Sequence, residues 1–234
     1  MNIQQMSLQE ILQLKYEDLA FEPTDGDIRH VFEVCDALWL HSGDPATPHA
    51  ALTAGHCSDG FVDVLRALRY TQITSFMAAH LVRRLRKVYR GPVDWVIGSD
   101  HAGATLSFEV ARQLGAQHDF TEKGPNKTQF WRRLAVASEE WVLQVEELST
   151  TLFTFQAVRA GVRAGNPTPV TFVPHPMVLV HRSSEYELEG EEIIYGAHFN
   201  IRKWKAGDCP LCKAGSRRIT EVKKHWAELT QKAA

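Results

Sequence analysis

The chain has no long hydrophobic run. No stretch approaches the roughly 20 apolar residues that a membrane-spanning helix needs, and Met1 to Lys15 is polar and mixed, without the apolar segment of a signal peptide. Cysteine is scarce. Cys35, Cys57, Cys209 and Cys212 are the only four in 234 residues, too few for a disulfide scaffold, so a reducing cytoplasm is the expected compartment. Neither sign of charge dominates. The formal net charge of −2 gives no bulk attraction to nucleic acid or to an anionic membrane. Any phosphate the protein holds must therefore be held by local groups. Internal repeats and low-complexity tracts are also absent.

What remains is ordinary globular composition, 44% hydrophobic and 23% charged, in a chain long enough to bury one sizeable core. Residues 7 to 20 carry an apolar side of Leu8, Ile11, Leu12 and Leu14, which predicts a short amphipathic helix. A second helix is expected from Asp27 to His41, stopped by Ser42-Gly43-Asp44-Pro45. Leu52 to Asp63 reads as a turn leading into a strand. Ile73 to Arg90 has Met77, Leu81, Leu85 and Val88 at helical spacing, with basic residues crowding its last turns, where they suit the helix dipole. Val93 to Gly98 reads as a buried strand followed by a helix from about Ala104 to Leu114. The pattern returns with strand Trp141 to Val145 and a helix from about Thr154 to Ala164. Val170 to Val173 and Met177 to His181 are further short, β-branched runs, and Lys223 to Lys232 suggests a terminal helix. Alternating strands and helices predict an α/β fold with a mostly parallel central sheet flanked by helices. Ligands of such sheets sit outside the carboxyl ends of the strands.

The stretch richest in chemistry is Val142-Leu143-Gln144-Val145-Glu146-Glu147-Leu148-Ser149-Thr150-Thr151-Leu152-Phe153-Thr154. An apolar strand runs into two carboxylates, a hydroxyl-rich turn and a helix. Carboxylates at a strand end accept hydrogen bonds from vicinal sugar hydroxyls, while hydroxyls and free N–H groups at a helix start cradle phosphate. The same residues also make a solvated helix N-cap, and the chemistry of the segment leaves both readings open.

This segment resembles the phosphoribosyl-pyrophosphate motif of the type I phosphoribosyltransferases: an apolar strand, two acidic residues, then Thr-Thr-Gly-Gly-Thr or similar. The resemblance implies that Glu146 and Glu147 hold the ribose hydroxyls. It assigns the 5-phosphate to the loop of Ser149, Thr150, Thr151, Leu152, Phe153 and Thr154. Glutamate stands for aspartate at the second acidic position, and Leu152 and Phe153 stand where the family usually has glycine. Ser99-Asp100-His101-Ala102-Gly103, after the strand Val93 to Gly98, is similar to the pyrophosphate-binding loop; alone it reads equally as any tight βα turn. Leu52 to Asp63 looks like the hood segment of orotate phosphoribosyltransferases, with Thr53 in place of the family's active-site lysine. Phe120 to Lys127 sits where those enzymes carry a mobile, lysine-rich catalytic loop. Lys123 is the better match for the lysine that stabilises the departing pyrophosphate, often across a dimer interface, and Lys127 the second; the alternative is an exposed loop with two solvated lysines.

The resemblance covers about residues 52 to 181 and implies a single domain over 1–234, with a C-terminal extension from about 183 and a small hood from both terminal segments. It further implies transfer of ribose 5-phosphate from phosphoribosyl pyrophosphate to a nucleobase, orotate first among them, with magnesium and as a homodimer. The alternative is a catalytically impaired protein of the same fold that senses a nucleotide or phosphoribosyl pyrophosphate. Separately, Cys209-Pro210-Leu211-Cys212 is half of a zinc site. Cys57, His56 or His198 would have to complete it in space; otherwise the pair is two partly buried thiols. Of the 11 histidines, His101 has the most suggestive position, within the proposed pyrophosphate loop, while His175 and His181 flank a strand.

Overall fold

A computed structural model describes residues 2–52 and 55–230; Thr53, noted above in the hood segment, lies outside them. Among the described residues no helix is long and apolar enough to cross a membrane. Helix α1 spans Asp25–Val34, opened by a capping box in which the Thr24 and Asp27 side chains each bond the other's backbone. Helix α2 covers Thr71–Val88 and strand β1 Trp95–Gly98. Helix α3 follows over Ala102–Leu114, closed by Gly115 in the left-handed region. Strand β2 is Gln117–Phe120, β3 Trp141–Ser149, helix α4 Phe153–Gly165, β4 Met177–His181 and β5 Ile194–His198.

These strands form one sheet in the order β5-β4-β3-β1-β2, with the two-residue strand Thr171–Phe172 also pairing β3. Every pairing in it is parallel. The α/β sheet expected from the alternation is present. Its strands are buried on both faces, which explains why they read as continuous apolar runs. Helices α1, α2 and α3 share one large core with Leu143 and Val145, while α4 packs Val158 and Val162 against Ile97 and Val142 on the opposite side. Right-handed crossovers require this division, since the chain leaves β1 toward one sheet edge and β3 toward the other. The reversal lies between two adjacent strands, β1 and β3.

Several boundaries differ from those expected. The first helix is confined to Leu8–Ile11, with a single 3-10 turn at Tyr16–Asp18 beyond it. Helix α1 ends at Val34, because Asp36 takes a left-handed conformation and Leu38–Leu40 leaves as a strand paired with Gly60–Val62. Strand β3 runs four residues past Val145 to Ser149. The terminal helix is reduced to Trp226–Thr230. Residues 183–208, without an evident pattern in sequence, contain β5 and a short hairpin, Glu187–Leu188 with Glu191–Glu192. The hood is a second sheet, ordered Lys203–Lys205, His56–Ser58, His49–Ala51, Arg218–Ile219. The C-terminal extension thus contributes both of its edges.

Residues 122–130 fold into a hairpin, Glu122–Lys123 against Gln129–Phe130, and not into an open loop. Its base is pressed onto α4 at Gly161, where an added Cβ would lie 2.3 Å from the Gln129 carbonyl oxygen. In an unencumbered helix Gly→Ala gains up to about 1 kcal/mol; here the clash is with backbone and decides the sign. Gly161→Ala is expected to lower stability by about 1–3 kcal/mol in urea unfolding, and an unchanged or raised midpoint would mean that the hairpin does not rest on this helix.

Candidate functional site

Residues Ser99 to Gly103, following β1, and the last residues of β3 meet where the strand order reverses, the position at which open α/β sheets take ligands. The acidic pair lies within β3, not beyond its end. Glu146 is fully buried. It shares a strand face with Gln144, whose amide donates to Glu146 Oε1 at 3.2 Å, while Ser99 Oγ bonds Glu146 Oε2 at 2.6 Å. Gln144 also donates to the Phe155 carbonyl and accepts from Arg159 Nε at 3.2 Å. Arg159, itself buried, pairs with Glu189 at 2.8 Å and Glu191 at 2.5 Å. A continuous polar relay therefore fixes the Glu146 carboxyl from α4 inward.

Glu147 is half-buried and reaches the same space. A Cβ on Gly103 would stand 3.2 Å from Glu147 Oε2, 3.4 Å from Glu146 Oε2 and 2.6 Å from Ser99 Oγ. The two carboxylates and the hydroxyl converge on this residue in the first turn of α3, and any side chain there would displace one of them. Burial, followed by the adjacent Glu147, pushes the Glu146 carboxyl up to about 8. Burial also raises Glu147, with Asp100 adding to the effect.

A cavity of about 260 Å³ opens beside this pair. Ser99, Asp100 and His101 form one wall and Glu147 part of the floor; Lys123, Lys127 and Gln129 of the hairpin face them, with Phe153 and Thr154 at the start of α4. The structure thus brings together most of the residues that the motifs single out. Lys123 and Lys127 reach the cavity from their own chain. His101 is largely exposed, holds Asp100 Oδ2 at 2.9 Å through Nδ1, and sits at φ 59°, ψ −110°, a conformation costly for a non-glycine residue.

The hydroxyl turn is less uniform. Thr150 and Thr151 are exposed, but Ser149 is buried and its hydroxyl is committed to the Thr151 carbonyl at 3.1 Å. Leu152 turns away from the cavity into an apolar cluster with Phe155, Val178, Leu188 and Ile193, whereas Phe153 remains half-exposed at the cavity wall. The leucine therefore anchors the turn and leaves the space open. Ala102 is buried in the first turn of α3.

Arg182 was not singled out in the sequence. It follows β4 directly, donates its backbone N–H to the Ser149 carbonyl at 2.7 Å, and its Nε is buried without a hydrogen-bond partner among the described residues. Burial lowers this guanidinium to about 10, against the attraction of Asp59 in the hood. The available signal was an arginine at the carboxyl end of a buried apolar run. His181 is occupied structurally: its ring bonds His198 at 2.9 Å and the Glu185 carbonyl at 2.9 Å.

No protein-family model matches the chain. Among curated proteins, the orotate phosphoribosyltransferase of Acidithiobacillus ferrooxidans is 27% identical over 184 residues, 78% of this chain and 92% of that protein. That of Desulforamulus reducens is 29% identical over 195 residues, 80% and 98% of the two chains. The crystal structure of orotate phosphoribosyltransferase from Aeropyrum pernix aligns with a TM-score of 0.53 at 19% identity, covering 72% of this chain and 92% of that one. The resemblance carried by the motifs extends over most of the chain, and the fold is that of the type I phosphoribosyltransferases.

A carboxyl raised on folding stabilises the protein below its ordinary value of 4.5, and that contribution is lost as pH rises through about 8. Glu146→Gln mimics the protonated form, its oxygen accepting from Gln144 and its nitrogen donating to Ser99. In thermal melts the variant is expected to gain on the wild type progressively across this pH window. Parallel melting profiles for the two proteins would show that Glu146 ionises at no cost.

Proposed function

We propose that the chain is a phosphoribosyltransferase that displaces pyrophosphate from C1 of phosphoribosyl pyrophosphate with a ring nitrogen of orotate. The observation that carries this reading is the pairing of carboxylates and lysines across one cavity at the reversal between β1 and β3. Its support is the similarity to orotate phosphoribosyltransferases over most of the chain.

In this reading Glu147 accepts hydrogen bonds from the ribose hydroxyls, and Glu146, fixed by Ser99 and Gln144, completes that end of the site. Thr150, Thr151 and Thr154, with the free N–H groups of the first turn of α4, hold the 5-phosphate. Ser99 to Gly103 follows the pyrophosphate, and Lys123 and Lys127 face it from the hairpin. Bond breaking at C1 places positive charge on the sugar and negative charge on the leaving group. The Glu147 carboxylate on one side and the lysine ammonium groups on the other would stabilise that separation without a covalent nucleophile. Asp100 and Glu147, close enough for Asp100 to help raise the Glu147 carboxyl, would supply hard oxygen donors of the kind magnesium takes, and the ion would neutralise pyrophosphate charge when bound.

Orotate is an anion, and the lysine of the family's hood segment is replaced here by Thr53. Arg182, a half-buried cation at the carboxyl edge of the sheet whose Nε has no hydrogen-bond partner among the described residues, would supply the compensating charge. A homodimer belongs to the same proposal, although Lys123 requires no second copy to reach its cavity. A second reading, a non-catalytic sensor of the same ligands, is favoured by Leu152 and Phe153. They occupy positions where glycine lets the backbone close on phosphate.

With magnesium, phosphoribosyl pyrophosphate and orotate, the purified chain is expected to release pyrophosphate. Lys123→Ala should lower kcat roughly 10²- to 10³-fold with little effect on the affinity for orotate. Arg182→Ala should raise the orotate KM by about 10- to 100-fold. Calorimetric binding of phosphoribosyl pyrophosphate without turnover on any base in a panel would replace the enzyme by the sensor.

A further inference from the structure

Away from the cavity, the hood brings together residues from two distant parts of the chain, 49–57 and 209–212. His49 lies on the strand His49–Ala51 and Cys57 on His56–Ser58, while Cys209 caps the short helical turn Pro210–Lys213 and Cys212 lies within it. One nitrogen and three sulfurs from these residues all lie within 4.8 Å of one another, and His49, Cys57 and Cys209 are fully buried. Cys57 joins the Cys-x-x-Cys pair as one of the expected partners. The fourth position belongs to His49, which takes the place expected of His56 or His198; His198 is instead bonded to His181.

We propose that His49, Cys57, Cys209 and Cys212 bind one structural zinc ion that fastens the C-terminal extension to the hood. Three independent features of geometry support the assignment. A tetrahedral zinc with Zn–S of about 2.3 Å and Zn–N of about 2.0 Å has ligand–ligand edges of roughly 3.8 Å between sulfurs and roughly 3.5 Å between sulfur and nitrogen. The observed separations are 3.6 Å for Cys57 Sγ to Cys212 Sγ, and 3.8 Å and 3.4 Å from His49 Nε2 to Cys209 and Cys212. The cluster therefore already has the size of a filled coordination shell, and the sulfurs stand too far apart to be a disulfide.

The second feature is the tautomer of His49. Ser216 Oγ gives its only proton to the Thr47 carbonyl at 2.7 Å, so it must accept from His49 Nδ1–H at 2.8 Å. That leaves Nε2 unprotonated and turned toward the sulfurs, the outer-shell arrangement that a zinc-bound histidine uses. The third is the turn itself. The backbone N–H of Cys212 points at Cys209 Sγ at 3.5 Å, a contact that stabilises a thiolate. With four protein ligands and no open position, the site is closed and structural in kind.

Binding replaces three S–H bonds by three Zn–S bonds, and the protons leave to solvent. The ligands join positions up to 163 residues apart. The metal would thus hold together a four-stranded sheet whose two edge strands, Lys203–Lys205 and Arg218–Ile219, both come from the extension. No catalytic step depends on it.

The full-length chain, purified without chelator from zinc-supplemented cells, is expected to contain one zinc per chain by elemental mass spectrometry. Cobalt substituted for it should show the intense visible bands of a tetrahedral thiolate site. On the wild type, a thiol reagent should find Cys57, Cys209 and Cys212 protected until a chelator is added, after which protease should cut within the extension. Cys209→Ser with Cys212→Ser should abolish zinc retention; the labelling of the wild type decides the matter even where this variant does not fold. Metal-free protein that stays fully thiol-reactive after titration with zinc would overturn the proposal. So would a Cys57–Cys212 disulfide found by peptide mapping of the protein as isolated.

Discussion

A carboxyl group buried against a second carboxylate is the constraint around which the site is built. Removing Glu146 from water carries a large penalty that only hydrogen bonds and proton retention offset. Ser99 and Gln144 supply those bonds, and both are themselves held. Ser99 is positioned by the end of β1, while Gln144 is held by α4 through Phe155 and Arg159. The two strands that flank the reversal are thereby joined by side chains as well as by their ladder. Glycine at position 103 and the unusual backbone of His101 follow from the same requirement, since the loop must pass close over the carboxylates without intruding.

The layers of the fold were legible because the strands of a parallel sheet are buried on both faces. Val93 to Gly98, Trp141 to Val145 and Met177 to His181 announce themselves as apolar runs, and the intervening helices by their spacing. The limits of those runs were harder to read. Strand β3 continues through Glu146 and Glu147 because its neighbour β4 pairs with it as far as Ser149, and pairing with a distant segment leaves no local trace. The early end of α1 has the same origin, in the partnership of Leu38–Leu40 with Gly60–Val62. Composition alone could not separate the hairpin at 122–130 from a loop, because it is stabilised by contact with α4.

Within the site, the acidic pair, the loop after β1 and Lys123 were visible because each occupies a fixed offset from a strand or turn. Arg182 and His49 were not. Each is defined by what surrounds it in three dimensions: a buried guanidinium nitrogen without a partner among the described residues, and an imidazole whose outer nitrogen is fixed by Ser216. Leu152 and Phe153 both stand where the family usually has glycine. In the fold the two diverge. Leu152 fills an apolar hole beneath the turn, so the bulk that would block phosphate is spent on anchoring the loop.

The hairpin that carries Lys123 and Lys127 rests on a glycine of α4 and so presents its ammonium groups before any ligand arrives. A cationic face of this kind draws in a polyanion from solution, and the attraction weakens as salt is added. The hairpin backbone that carries the ammonium groups is already in place, so its ordering costs nothing on binding. The same rigidity acts against departure. On the proposed function, anions held by these charges would leave only by breaking those contacts, and the slow event would shift from capture of the incoming phosphate to escape of the outgoing one.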